Sequence, residues 1–280
     1  MLKTAVLKKT ADASSDRSMD WRTSFADLLS PSGRWDISER VVDDLPIVII
    51  DDALKQPEAL RDFALGLDYG ILQHAREYRN YPGERAIVSI EPKALRTRIL
   101  KAYPFHKQSR LNPALEFRRE AAIFTRILPS ALKALHPRQK APHLDIGTML
   151  VGLLHLTPPG DEPGATGFYR HKQTGLAFMP NCPDEDLARC CTDLGYSPYD
   201  AHGYMAFRKH LIYDQLGSYA HQLQGTGIDR SNDVWELVHT IPGRFNRLVV
   251  FPANLFHSPV FFTGSHNRPR LTMNMNFDPI

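Results

Sequence analysis

The sequence predicts an α+β protein, in which a mostly β-stranded C-terminal half is flanked by N-terminal helices and interrupted by a largely helical insertion. Two observations favour this class. From Pro142 onward, short apolar runs bounded by turn residues dominate, as is typical of strands. Before that point, two segments repeat apolar residues with helical spacing. The hydrophobic fraction of 42% is that of a globular chain with a buried core.

The N-terminal half contains two units in which a strand pattern precedes a helix pattern. LPIVIID, at 45–51, is a short β-rich apolar run that predicts a buried strand. The following QPEALRDFALGL places Leu60, Phe63 and Leu67 on one helix face. A second apolar run, from Arg85 to Ile90, precedes PKALRTRILKAY, which has the pattern of a helix with proline in its first turn.

The pattern predicts a single domain over residues 21–280. Residues 1–20 are small, polar and charged, so we expect a mobile tail there. Residues 21–140 are expected to form a supporting region of helices and strands. Residues 141–280 are expected to form the core, with an insertion at about 180–238. Such an insertion serves either as a lid over a site or as a structural cover for one sheet face, and the sequence leaves both open.

Charge and cysteine content restrict the class of partner and compartment. The net charge is +3 without a block of like charges, so we expect neither nucleic acid nor a membrane surface as partner. The sequence has no apolar run of about twenty residues and no N-terminal apolar core of secretory length. Cys182, Cys190 and Cys191 match neither a disulfide framework nor a zinc pattern. We therefore expect a cytoplasmic protein whose cysteines pack as small hydrophobes.

His143 and Asp145 are the first candidate metal ligands. They lie two residues apart at the start of the strand-like run HLDIGTMLVGLLHL, so both side chains are expected on one face of a strand. The best candidate for a third ligand is His257, in FNRLVVFPANLFHS. Two histidines and one carboxylate on one face of an ion leave its other positions open, as in non-haem iron(II) sites.

The last predicted strand, from Arg268 to Phe277, alternates polar and apolar residues. Its polar face carries Arg268, Arg270, Thr272, Asn274 and Asn276. In an ordinary sheet this face would point to solvent. Alternatively, an arginine followed two positions later by a hydroxyl residue can bind a carboxylate. The second reading predicts an anchor for a dicarboxylate ligand.

Taken in order, these motifs resemble the 2-oxoglutarate/iron(II) oxygenases, especially their prolyl-hydroxylase-like branch and a bacterial uncharacterised family related to it. PHLDIG resembles the first metal strand of these enzymes, and LVGLLHL with GATGFYRHKQTG resembles the strands that follow. FNRLVVFPANLFHS resembles the hairpin of the distal histidine, and RPRLTMNMNF resembles the cosubstrate strand. The resemblance covers roughly residues 142–277 and implies a double-stranded β-helix, or jelly-roll, core.

The resemblance also implies roles for individual residues. Iron(II) would be bound by His143, Asp145 and His257, and the far carboxylate of 2-oxoglutarate by Arg270, assisted by Thr272. Arg268 is the rival anchor, because it shares the strand face with Arg270.

Two further histidines, His155 and His171, lie outside the predicted metal group. His155 stands where relatives commonly have a tyrosine that contacts the cosubstrate. It either takes over that contact or is a core histidine bonded to backbone. His171 follows the GATGF turn, and we expect it at the surface without a catalytic role.

The implied activity is hydroxylation of a small molecule or a peptide side chain, with dioxygen and 2-oxoglutarate as cosubstrates. Two other classes remain open. One is a catalytically inactive, metal-binding jelly-roll that acts as an interaction module. The other is a cupin-like metalloenzyme that uses no 2-oxoglutarate, in which Arg270 and Thr272 are ordinary surface residues. The sequence gives no basis for predicting the oligomeric state.

Overall fold

The computed structural model describes most of the chain outside residues 1–20, so the tail predicted there lies outside the described residues. The described ranges are 21–69, 81–89, 92–105, 121–145, 147–160, 164–180, 183–223, 227–261 and 268–277. They form two antiparallel sheets with several helices, which confirms a mixed fold dominated by antiparallel strands. The two sheets do not close into a barrel.

The larger sheet has seven strands in the order β1-β2-β8-β5-β10-β4-β3. Their bounds are β1 Asp36–Val42, β2 Leu45–Asp51, β3 Glu84–Ser89, β4 Ala121–Ile127, β5 Leu150–His155, β8 Leu248–Pro252 and β10 Arg270–Phe277. The strand predicted from LPIVIID is β2, and all but its last residue are buried. Four of the seven strands precede residue 141, so the supporting region and the core share one sheet.

The smaller sheet has three strands in the order β7-β6-β9. Their bounds are β6 Gly164–His171, β7 Trp235–Pro242 and β9 His257–Phe261. Apolar side chains of the two sheets pack together in one buried cluster, with Ile49 and Val249 from the larger sheet and Phe168 and Ile241 from the smaller. The sheets therefore face each other.

Three helices cover the outer face of the larger sheet: α1 Trp21–Leu28, α2 Pro57–Leu65 and α3 Lys93–Ala102. Leu60 of α2 and Ile99 of α3 pack against Val250 and Met273, which point outward from the sheet. The two predicted helices are thus confirmed as α2 and α3. Pro92 stands at the N-cap of α3 and Pro57 is the first residue of α2, where a missing N–H costs nothing.

The insertion covers the outer face of the smaller sheet. It contains α4 Glu185–Asp193, α5 Ala201–Lys209, a π-helical turn at His210–Asp214 and the short α6 Leu216–Tyr219. Phe207 and Leu211 share a buried cluster with Tyr169 and Trp235 of the small sheet. Strand β7 begins at Trp235, so the insertion ends before its predicted boundary at about residue 238. Of the two roles considered, the packing supports the structural cover.

No helix within the described part of the chain is both long enough and apolar enough to cross a membrane.

Candidate metal centre

The structure brings His143, Asp145 and His257 together. One potential ligand atom from each lies within 4.8 Å of the others. His257 Nε2 lies 3.4 Å from Asp145 Oδ2, and the two imidazole ring centroids are 4.5 Å apart. Residues separated by more than 110 positions in the sequence therefore form one group that could hold a metal ion.

The backbone around His143 differs from the sequence prediction. The run that starts at His143 was expected to be a strand throughout, but β5 begins only at Leu150. His143 instead makes an isolated antiparallel bridge to His257, with N–H···O distances of 2.9 and 3.0 Å. The Asp145 amide donates to Ala253 O at 2.9 Å. Directly opposed residues of an antiparallel pair project to the same side, so this bridge places the two imidazoles next to each other.

Backbone carbonyls fix the tautomer of both histidines. His143 Nδ1 lies 3.2 Å from Ala141 O, and His257 Nδ1 lies 2.9 Å from Leu255 O. A carbonyl oxygen only accepts hydrogen bonds, so each Nδ1 carries the proton and donates it. A metal ion bound at each Nε2 would replace the contact between His257 Nε2 and Asp145 Oδ2, and metal-binding histidines are commonly oriented in this way.

The ionisation states suit metal binding at neutral pH. Burial, together with the nearby His257, lowers the pKa of His143 to about 4. For Asp145, burial alone would raise the pKa, but the hydrogen bond and charge of His257, with a smaller effect of His143, lower it to about 2. A neutral imidazole and an ionised carboxylate are the forms that bind a divalent ion.

A cavity between the two sheets contains the metal group. From the larger sheet, it is lined by Arg85, Thr125, Val151, Leu153, Phe251, Arg270, Thr272 and Asn274. The smaller sheet contributes Thr166, His257, Ser258 and Pro259. The cavity is therefore lined by three residues of the polar face of β10, and the alternative that this face points to solvent is wrong for them.

Arg270 is a buried cation in this cavity. It is only 6% exposed, and no carboxylate of the described residues lies within salt-bridge distance of it. Burial lowers its pKa to about 10. Arg268 precedes β10, is exposed and does not line the cavity. The structure therefore places Arg270 in the cavity and Arg268 outside it, a difference that the alternation of polar and apolar residues does not predict.

The sequence matches the model of a family of unknown function, DUF6445, over residues 34–224 and 218–277. The chain belongs to this family. The match includes both sheets, the His143–Asp145–His257 group and Arg270. No curated protein matches the sequence significantly. Membership in DUF6445 assigns no activity, so any function must be argued from the site.

The two remaining cosubstrate candidates lie opposite each other on neighbouring strands. Thr272 of β10 is paired with His155 of β5. Thr272 lines the cavity, whereas His155 is not part of its wall. His155 is 3% exposed, and its Nε2 has no hydrogen-bond partner among the described residues. Burial, with the charges of Arg270 and Arg247, lowers the pKa of His155 to about 3, so it is neutral.

Several cavity residues have no role assigned from the sequence, among them Arg85, Thr125, Thr166 and Asn274. Asn274 does lie on the polar face of β10 that the alternation identified. Thr166 Oγ1 and Asn274 Oδ1 are buried and have no hydrogen-bond partner among the described residues. Buried polar atoms are normally satisfied, so these two indicate a ligand or ordered water in the cavity.

The prediction that His171 lies at the surface is wrong. It is fully buried, and its ring nitrogens lie 2.9 Å from Thr174 Oγ1 and 3.2 Å from Gln215 Oε1. The histidine thus connects β6 with the insertion, which is a structural role. Cys191 packs in the core of the insertion as a small hydrophobe, as expected, and Cys182 lies outside the described residues.

Proposed function

We propose that the protein is an iron(II)- and 2-oxoglutarate-dependent oxygenase that hydroxylates a small molecule or a peptide side chain. We further propose that its two facing sheets form the double-stranded β-helix core of such enzymes. The observation that carries the proposal is a buried arginine without an acidic partner among the described residues, in the same cavity as a group of two histidines and one carboxylate.

The donor set fits iron(II). Two imidazole nitrogens and one carboxylate oxygen suit a divalent transition metal and leave coordination positions open for further ligands. His143 and His257 would bind through Nε2, because their Nδ1 atoms donate to backbone carbonyls. Asp145 would supply the negative charge. A bound iron ion would supply the capacity to activate dioxygen, coupled to the oxidative decarboxylation of 2-oxoglutarate.

The remainder of the cavity fits 2-oxoglutarate. Burial of a cation without a nearby anion is costly, and a dianionic ligand would remove that cost. Arg270 can donate two parallel hydrogen bonds to one carboxylate, and Thr272 lies two residues further along the same face. The other carboxylate and the keto oxygen would then point toward the metal group.

The protein residues bind and orient the reactants and exclude water from them. Arg270 and Thr272 would bind one end of the cosubstrate, and the two histidines with Asp145 would hold the metal ion. Val151, Leu153 and Phe251 provide apolar walls beside the metal group, which limit the access of water. Positioning is thus the contribution of this chain to the reaction.

The binding of 2-oxoglutarate to Mn²⁺-loaded protein tests the proposal, with Arg268→Gln as the matched control. Arg270→Gln is expected to weaken the affinity by about 10- to 100-fold, because a charge-assisted hydrogen bond is lost in a buried site. Arg268→Gln is expected to bind like the wild type. Isothermal titration calorimetry measures both.

Equal affinity of wild type and Arg270→Gln would contradict the proposal and favour a metalloenzyme that uses no 2-oxoglutarate. Binding of Mn²⁺ without any binding of 2-oxoglutarate would favour the inactive interaction module.

A further inference from the structure

Arg85 is a second cation in the cavity, and the proposed cosubstrate site does not use it. It lies on β3 and is paired with Thr125 of β4, which is paired in turn with Thr272 of β10. These three residues form one row across the larger sheet on the cavity face. We propose that Arg85 binds a negatively charged group of the substrate, a carboxylate or a phosphate, beside the metal group. The inference rests on the proposed function, because it assigns Arg270 to the cosubstrate.

The Arg85 side chain is close to the metal ligands. Its charge contributes to lowering the pKa of both His143 and Asp145. It is half-buried and lines the same cavity as these ligands. A substrate group bound at Arg85 would therefore lie next to the site where oxidation occurs.

The Arg85 guanidinium is held in a defined position. It stacks on the ring of Tyr81 at 3.4 Å from the ring centroid. Gln139 Nε2 donates to Tyr81 O at 2.6 Å, which ties this segment to the chain just before His143. A cationic side chain that is already ordered loses less conformational entropy when it binds a ligand.

The cavity wall carries two cationic side chains, Arg85 and Arg270, together with the anionic Asp145. Arg270 is assigned to the cosubstrate, so Arg85 is the described cation of the wall that an anionic group of the substrate could contact. A guanidinium group can donate two parallel hydrogen bonds to a carboxylate or a phosphate.

Thr166 indicates where a neutral part of the substrate would bind. It is 3% exposed, lines the cavity from the smaller sheet, and its Oγ1 has no hydrogen-bond partner among the described residues. The larger sheet thus offers a cation and the smaller sheet offers a hydroxyl group. A substrate between the sheets could use both.

The test measures anion binding near the metal in the full chain loaded with Mn²⁺, with and without 2-oxoglutarate. The probes are acetate, inorganic phosphate and the neutral acetamide. Paramagnetic broadening of the acetate methyl or the phosphate ³¹P resonance reports a probe close to Mn²⁺. The variants are Arg85→Gln and Arg85→Lys. The matched control is Arg138→Gln, an exposed arginine that stacks on Tyr213 and does not line the cavity.

We expect saturable broadening of acetate or phosphate in the wild type and none for acetamide. Arg85→Gln should weaken the binding by at least about tenfold, because the charge-assisted contact is lost. Arg85→Lys should retain part of it, and Arg138→Gln should retain all of it. The probe that binds more tightly identifies the group as a carboxylate or a phosphate.

Equal probe affinity in the wild type and Arg85→Gln would overturn the inference, as would the absence of saturable broadening in the wild type. Loss of 2-oxoglutarate binding in Arg85→Gln but not in Arg270→Gln would also overturn it, because Arg85 would then be the cosubstrate anchor. Anion binding through Arg85 in a protein that does not bind 2-oxoglutarate would refute the proposed function and leave the anion site in place.

Discussion

At the scale of single residues, the site is characterised by buried polar groups that the protein itself does not fully satisfy. Arg270 has no acidic partner among the described residues, and His155 Nε2 and Thr166 Oγ1 have no hydrogen-bond partner there. Each such group costs stability in the ligand-free protein. Arg270 and Thr166 line the cavity between the sheets, where a bound ligand would satisfy them.

His155 provides a test at this scale, because its pKa of about 3 in the folded protein lies below its ordinary value of 6.5. Below pH 6.5 the unfolded chain takes up a proton that the folded chain does not. The contribution of neutral His155 to the free energy of unfolding is therefore fully present above pH 6.5 and is lost as the pH falls toward 3. Over this range, the free energy of unfolding of His155→Gln should fall less steeply with decreasing pH than that of the wild type, by about 1.4 kcal/mol per pH unit.

Urea unfolding of the metal-free protein between pH 7.5 and 4.5 measures this slope. His202→Gln, at an exposed position of α5, is the control. If His155→Gln had the same pH slope as the wild type, His155 would not be a buried neutral histidine.

At the scale of elements, the sequence identified strands and helices where the apolar pattern was strong. The apolar run of β2 and the alternation of β10 each predicted both the strand and its buried face. The β1 segment DISERVV has no such pattern, because it is an edge strand whose side chains are mostly exposed. For β10, the alternation indicates which residues share a face but not where the strand begins, so it does not distinguish Arg268 from Arg270.

The three residues of the candidate metal group lie together as predicted, but for a partly different reason. His143 and Asp145 were placed on one face of a strand, whereas they precede β5 and are held by hydrogen bonds to the segment around His257. These contacts join positions more than 100 residues apart, and local patterns do not report them. Arg85 was missed for the same reason, since its place in the cavity wall depends on the pairing of β3 with β4.

The turn before β3 provides a test at the scale of elements. Gly83 has a φ of +76°, and a Cβ there would meet the Arg126 carbonyl oxygen and lie 2.6 Å from Ile127 Cγ1. Gly83→Ala should lower the free energy of unfolding by about 1–3 kcal/mol, because the side chain forces a strained backbone. Gly33→Ala, where no atom lies within 4 Å of the added Cβ, should change it by less than about 0.5 kcal/mol.

Urea unfolding at neutral pH compares the two glycine variants. Equal stabilities of Gly83→Ala and Gly33→Ala would show that the turn before β3 is not constrained as described.

At the scale of the whole molecule, the described elements form four layers, which are helices α1–α3, the larger sheet, the smaller sheet and the insertion. Helices α1–α3 cover the larger sheet, the insertion covers the smaller sheet, and the cavity lies between the two sheets. No described residue of 183–223 lines the cavity, which agrees with a supporting role of the insertion. The site is thus built on the facing strands and on the short segment from His143 to Asp145.

The most direct test of the central claim is an anaerobic titration of the protein with iron(II) and 2-oxoglutarate, followed by visible absorption. Chelation of the keto acid to iron at a site of two histidines and one carboxylate should produce a weak charge-transfer band. We expect this band in the wild type and in Arg268→Gln, and its loss in His257→Ala. Iron-loaded wild-type protein that binds the metal but shows no band would contradict the oxygenase assignment.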